Sequence, residues 1–440
     1  MTLGGPLSSR GHFDEKTLHA SLADDGREEV NASLTHQLCN AMKRRDFLVQ
    51  AGISSLVLPA AARAAVLPCP PEVLQVAGGQ SVTTACGPIG PIPAWMPSTM
   101  YQWRTIAADG TRSSVTPYSG MAWDDVNKKI YMFGGGHGGL YDNSLYVCDL
   151  NVALPAWAVS IPQSSDKTYP TKEYGSAPYY SDGKPHARHT YYTFHYTNGK
   201  VWSLMCRFAI GNGDGQLTTN DVDSAIPGGN WAAPGTHPDC PNGGSDYESP
   251  SFVDRYGVCW HHPARSMQLL SFTAPASGAG EWTNHGVVAP SGYPYSDLPF
   301  RSACYDSVNH RYISMANTSS ASNEGSGYTT PFWVDLATKA VTTFSLSGAA
   351  AGDVLTDAVC AFDPVAVCIW VRKTNATTLY KISNLYGTWS VSIVPTTGVP
   401  PPVTASSERE LWSRWRYLPS LGGIVAWPSS TSSLYFLRLH

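Results

Sequence analysis

Charged side chains are scarce in this chain, at 14% of residues, and the formal net charge is only −4. A nucleic-acid partner needs a strong basic field over the phosphates, so that class of function is set aside. Long apolar runs are also lacking. Outside residues 42–64 none reaches the length of a bilayer-crossing helix, so no membrane span is expected. The cysteines never fall in CxxC or Cys/His finger spacing, which argues against structural zinc and leaves no metal ligand set to assign. No G-x-S-x-G elbow, H-E-x-x-H helix or P-loop occurs, which removes several hydrolase and nucleotide-binding readings.

What the chain does have is a pattern that recurs six times: an apolar strand, an Asp-type turn, a second apolar strand and, later, an aromatic-led strand. The copies read GMAWDDVNKKIYMF from Gly120, HTYYTFHYTNGKVWSLM from His189, PSFVDRYGVCWHH from Pro250, SACYDSVNHRYISMA from Ser302, AVCAFDPVAVCIWV from Ala358 and WRYLPSLGGIVAW from Trp415. Each unit is a small sheet that buries its faces only against its neighbours, so a repeat of this kind predicts a β-propeller. From Asp124 to Pro419 the step averages about 59 residues, against roughly 50 for a kelch repeat, and the excess is assigned to loops. Six blades are expected, or seven if the stretch 161–236 hides another.

In the first copy GGGHGGLYDN follows KIYMF, then come NSLYVCDL and PAWAVSI. A glycine-rich turn after the second strand and a Trp opening the fourth resemble the kelch repeat of galactose-oxidase-like propellers, which implies four strands per blade. The chain ends at His440, after the third strand of the last copy. YQWRTI, Tyr101 to Ile106, is read as its missing fourth strand, with Trp103 matching Trp157, Trp282 and Trp389. The predicted fold is thus an all-β, six-bladed kelch-like propeller closed by an N-terminal strand, a device that removes open sheet edges.

Residues 42–64, MKRRDFLVQAGISSLVLPAAARA, carry paired arginines, an apolar run and the small-residue exit Ala62-Arg63-Ala64. The segment resembles a twin-arginine export signal, which implies a periplasmic or secreted protein exported folded. The expected organisation is an unpatterned extension over 1–41 with Met42 an alternative start, the signal over 42–64, a Pro-rich lead-in over 65–100 and the propeller over 101–440. An oxidising compartment permits disulfides, and Cys69 and Cys86 bracket the lead-in as a staple. Cys360 and Cys368 sit across a hairpin. Cys148, Cys206, Cys259 and Cys304 occupy apolar strands as buried thiols.

The residues just before each innermost strand are expected to ring one mouth of the central channel. They read Tyr118, His189, Glu248, Arg301, Asp357 and Arg414. Mixed polar groups converging on one mouth suit a binding or catalytic site, or salt bridges that plug it. His137 stands among the glycines of GGGHGG, and KPHARHTYYTFHY adds His186, Arg188, His189 and Tyr191. His195 is placed at the turn, on the far face, and excluded. Of the adjacent His261 and His262, at most one can face the channel. GNGDGQLTTND, Gly211 to Asp221, resembles a calcium loop that lacks the first acidic ligand.

A His, Tyr and Arg set on a propeller top is similar to exported polysaccharide lyases of the ulvan-lyase type. That likeness implies a proton taken from C5 of a uronate by Tyr or His, with Arg and His neutralising the carboxylate. On this reading His137, His189, Tyr191 and Tyr174 are catalytic. Arg188, Arg301, Arg414, Glu248, Asp357 and Tyr118 bind an acidic glycan, the arginines through their planar forks. The alternatives are a non-catalytic kelch module that binds a glycan or protein, and a copper radical oxidase. The partner expected is a polysaccharide, the state a monomer, and no cofactor is assigned.

Overall fold

The computed structural model describes residues 73–75, 81–83, 92–107, 119–135, 142–165, 179–204, 206–208, 218–241, 249–263, 266–293, 302–315, 330–355, 358–373, 376–403, 412–428 and 432–440. Contacts divide the chain into Met1–Ala64 and Ala65–His440, and every described residue falls in the second unit. Tyr118, His137, Tyr174, Glu248, Arg301 and Asp357 lie outside the described residues, as do Cys69, Cys86 and the export segment.

The unit is all-β and six-bladed. Its innermost strands are Gly120–Asp124, Phe194–Thr197, Ser251–Val253, Ala303–Asp306, Ala358–Asp363 and Trp415–Leu418. Consecutive innermost strands touch from the first blade to the sixth, and the short turn Trp412–Arg414 returns the sixth to the first. Blades one, three and four show the plain antiparallel order of four strands, as in Gly120–Asp124, Lys129–Phe133, Leu145–Asp149 and Trp157–Ile161. Among the described residues no helix is long and apolar enough to cross a membrane.

The period-2 alternation of each strand decides which interface its side chains fill. In blade one Met121, Trp123, Ile130 and Met132 join Leu418, Val425, Trp427 and Phe436 of blade six. The alternate residues Ala122, Tyr131 and Phe133 instead meet Phe194 and Val201 of blade two. Every such side chain removed from water contributes about 1.5–3 kcal/mol before entropy is counted. The Trp that opens the fourth strand recurs at Trp103, Trp157, Trp282 and Trp389, each on the fourth strand of its blade.

The Asp turns are explained by hydrogen bonding. Asp254 accepts from the backbone N–H groups of Tyr256 and Val258 at 2.8 and 3.0 Å and from the Trp260 indole at 2.8 Å. Asp363 does the same for Val365, Ala366 and Trp370. Asp306 accepts from the turn at Val308 and Asn309 and adds a buried ion pair with Arg311. A carboxylate that gathers turn donors in this way fixes a tight loop between two apolar strands.

The sixth blade contains Gln102–Ala107 as its outer strand, paired antiparallel to Leu434–Arg438 with Trp103 opposite Leu437. Thr397–Gly398, leaving blade five, then adds parallel to Gln102–Ala107. Leu346–Ser347, leaving blade four, adds in the same way to Trp389–Val394. These fifth strands cover edges that would otherwise stay unpaired. Gly398, at φ +75°, presses its backbone onto the Trp103 carbonyl, where a Cβ would collide.

Several sequence expectations are corrected. Among its described residues, the stretch 161–236 contributes no seventh blade. It supplies blade two, Phe194–Thr197, Lys200–Ser203 and Asp223–Ala225, plus a separate small sheet of Arg188–His189, Cys206–Phe208 and Thr218–Thr219. In blade two the fourth strand shrinks to one bridge, Ala225 to Trp231. Cys360 and Cys368 do lie on the two strands of one hairpin, as expected, with Cys360 in register with Val371 and Cys368 with Asp363. Cys148, Cys240, Cys259, Cys304, Cys360 and Cys368 are buried free thiols.

Candidate functional site

Four of the expected site residues are described: Arg188, His189, Tyr191 and Arg414. His189 does not stand immediately before the innermost strand of blade two. The hairpin there is Phe194–Thr197 with Lys200–Ser203, so His189 falls five residues ahead of it, in the small added sheet opposite Arg207. The two-residue Asn198-Gly199 turn, shorter than the Asp turns elsewhere, shifts the alignment that the sequence repeat suggests.

The segment 188–193 is bound to its neighbours by backbone and hydroxyl contacts. The Arg188 carbonyl accepts from Gly135 N at 2.7 Å, in the GGG turn of blade one. Gly134 and Gly135 hold φ of 73° and 97°, and a Cβ on Gly134 would strike that same carbonyl. Glycine at these two positions is therefore required by this close approach. Thr190 Oγ1 accepts from Gly120 N at 2.7 Å and donates to the Phe133 carbonyl at 3.0 Å. Ser413 Oγ accepts from Met121 N at 3.1 Å and donates to the Tyr191 carbonyl at 2.5 Å.

Ser413 thus joins the lead-in of blade six to the first strand of blade one and the lead-in of blade two. Its neighbour Arg414 is fully buried, with its guanidinium 5.7 Å from the centre of the Trp427 ring. At this junction Tyr191 holds φ at +36°, uncommon for a residue with a Cβ, and is buried. Its hydroxyl lies 3.4 Å from His189 Nδ1, and the two rings meet edge to face at 5.6 Å. A backbone held off its ordinary basins costs about 1–3 kcal/mol and persists only where its surroundings over-determine it.

Arg188 is not free to take up an external carboxylate. It forms a buried ion pair with Asp223, and its guanidinium lies 5.7 Å from the centre of the Tyr179 ring. Tyr179 donates to Asp221 Oδ1 at 3.4 Å. Burial pushes Asp223 above the usual carboxylate range in spite of Arg188, and Asp221 moves up for the same reason. Burial also raises the Tyr179 phenol, with Asp223 adding to the effect. Sequence reading missed Asp223 and Tyr179, and it placed Asp221 in a calcium loop. Among the described residues no group of three or more His, Cys, Asp or Glu is arranged to hold a metal.

His195 is a second correction. It lies within the innermost strand Phe194–Thr197, fully buried, with Nε2 2.7 Å from Ser251 Oγ in blade three. His261 and His262 are both buried. His262 bonds the Val288 carbonyl at 2.9 Å and packs edge-on to Tyr312, while His261 registers opposite Ser251. His186 lies against Tyr180 at 3.8 Å between ring centres, with the rings tilted by 35°.

No protein family profile matches the chain, and no curated protein matches it. Solved structures similar to it are β-propeller proteins. They include a virginiamycin B lyase from Staphylococcus aureus, with 12% identity over 77% of this chain and 99% of that one, TM-score 0.38. A fungal alcohol oxidase of the AA5 family, in complex with copper, has 14% identity over 66% of this chain and 55% of that one, TM-score 0.39. YjhT has 10% identity over 73% of this chain and 93% of that one, TM-score 0.43.

Proposed function

We propose that this chain is an exported carbohydrate-active propeller that cleaves an acidic glycan by β-elimination at the Tyr191–His189 end of the channel. The observation that carries the reading is Tyr191, buried and strained, with its hydroxyl against a histidine ring nitrogen where the lead-ins of blades six and two meet blade one. A neutral imidazole beside a phenol can accept the phenolic proton, so the pair can take the C5 proton of a uronate and return one to the departing O4 as the C4–O4 bond breaks and C4=C5 forms. Arg414, at the same junction, and Arg301, which precedes the innermost strand of blade four in sequence, are the carboxylate-neutralising residues of this proposal. Arg188 holds the loop through Asp223 and positions His189.

The burial of Arg188, His189, Tyr191 and Arg414 favours a second reading, a non-catalytic module that binds a glycan through its outer loops. The deciding experiment incubates purified protein with a panel of uronate-containing polysaccharides and follows the near-ultraviolet absorbance of the unsaturated product. The lyase reading expects growth of that band and a loss of at least about 100-fold in Tyr191→Phe, which keeps the ring and removes the hydroxyl. A flat trace with retained glycan binding selects the module, and bound copper with alcohol oxidation selects the oxidase.

A further inference from the structure

The ring supplies a partner to nearly every ionic side chain it buries. Arg188 has Asp223, and Arg311 has Asp306 through two nitrogens at 3.1 and 2.7 Å. Arg372 has the carbonyls of Ala376, Pro401 and Pro402. Arg416 is the exception. It is the second residue of the innermost strand Trp415–Leu418, half-buried, and among the described residues it makes no hydrogen bond, ion pair or ring contact. Enclosure by protein alone pulls its guanidinium down to about 10, with no anion opposing the shift.

Arg416 is half-buried on the innermost strand of blade six and acts on His195 of blade two, which places it toward the space that those strands enclose. Its positive field reaches His195 on blade two, and burial, Arg416 and then His261 together hold that imidazole neutral. The Ser251 hydroxyl gives its proton to the Trp260 carbonyl at 2.7 Å, so His195 Nε2–H must donate to Ser251 and Nδ1 is left as an acceptor with no partner. Both ring nitrogens of the buried His261 are without a hydrogen bond of ordinary geometry, and burial outweighs the nearby Pro250 carbonyl in its protonation balance. Among the described residues, the innermost strands offer no carboxylate free to pair with it. Asp124, Asp306 and Asp363 end their strands, Asp254 follows its own, and all four are committed to turn donors. A half-buried guanidinium without a counter-charge is open to an anion, and buried polar atoms left unpaired, such as His195 Nδ1, are rare.

We propose that the central channel binds one small oxyanion on the Arg416 guanidinium, with His195 and His261 as the flanking polar groups. The planar fork of an arginine suits a carboxylate or a sulfate through two parallel N–H bonds. The same chemistry is offered by a free oxyanion and by the acidic group of a saccharide. This site lies on the strands themselves and does not depend on the elimination chemistry proposed above for Tyr191 and His189.

The test uses the full exported protein in a buffer free of oxyanions, titrated in separate arms with sodium sulfate, sodium glucuronate and a uronate oligosaccharide. Calorimetry on the wild type is expected to show saturable binding at one site per chain. The melting temperature should rise with ligand, by the equivalent of about 2.7 kcal/mol at 100 times Kd. Binding in the sulfate and glucuronate arms identifies a free-oxyanion site, and binding in the oligosaccharide arm alone identifies a glycan subsite. Arg416→Met should lose the saturable response and, without ligand, melt no lower than the wild type, since it removes an uncompensated charge. Absence of saturable binding in all three arms of the wild-type calorimetry overturns the proposal even if the variant fails to fold. An equal thermal response in wild type and Arg416→Met overturns it as well.

Discussion

Replacing Trp103 by alanine tests whether the strand Gln102–Ala107 holds the sixth blade together. Trp103 is 2% exposed and packs against Trp415 at 5.9 Å between ring centres, in a cluster with Tyr417, Ile424 and Leu437. Truncating a tryptophan this deep costs about 3–5 kcal/mol through lost burial and the cavity left behind. For a cooperative unit of this size, roughly 1.5 °C of melting temperature corresponds to each kcal/mol, so a fall of about 5–7 °C is expected. The indole N–H of Trp103 has no hydrogen-bond partner among the described residues, a penalty of about 1–3 kcal/mol. Trp103→Phe removes that penalty while losing part of the ring, so it should fall within about 1 kcal/mol of the wild type. Trp282, half-buried on the outer strand of blade three and bonded to the Pro238 carbonyl, is the control, with a loss of about 1–2 kcal/mol expected on truncation. Calorimetric or fluorescence-monitored unfolding of the three variants reads the outcome. The reasoning fails if Trp103→Ala is within about 1 kcal/mol of the wild type, or if the phenylalanine variant is as damaged as the alanine one.

Acid should unfold the propeller through its buried histidines. Burial lowers His261 to about 3 and puts His195 well below its ordinary value, so both are neutral when folded and take up protons on unfolding. Their contribution is complete above about pH 6.5 and is lost as pH falls below it, by up to about 1.4 kcal/mol per pH unit for each histidine. Urea midpoints measured from pH 7 to pH 4 should show a shallower slope for His261→Asn than for the wild type, and parallel slopes would refute the assignment. In the glycine-rich turn, Gly134→Ala should cost at least about 2 kcal/mol, because the position combines a φ of +73° with a backbone carbonyl in the path of the new Cβ. A melting temperature unchanged by that substitution would show that the contact with Arg188 does not hold in solution.

The repeat was legible because its signals are local. An Asp that collects turn donors two to four residues on, an alternation of apolar side chains and a Trp opening the fourth strand each act within one blade, as the Asp turns do at Asp254, Asp306 and Asp363. The strand Gln102–Ala107 was found because the last copy lacked a fourth strand and Trp103 matched the Trp of the others. The GGG turn could be read as a turn, while the reason for its glycines, the Arg188 carbonyl more than 50 residues away along the chain, could not.

The site was less legible because its contacts join distant parts of the chain. Asp223 neutralises Arg188 from a strand of the next sheet, and Ser413 reaches Tyr191 across the closure between the sixth blade and the first two. Register also intervened, since one short turn at Asn198-Gly199 moved His195 into the innermost strand and His189 out of the repeat position assigned to it. Sequence by itself determined the blades, because hairpin hydrogen bonding and strand alternation are decided over a few residues. Tertiary structure decided which polar groups are paired and left Arg416 without a partner among the described residues, because pairing depends on distances between blades that no spacing within one blade encodes.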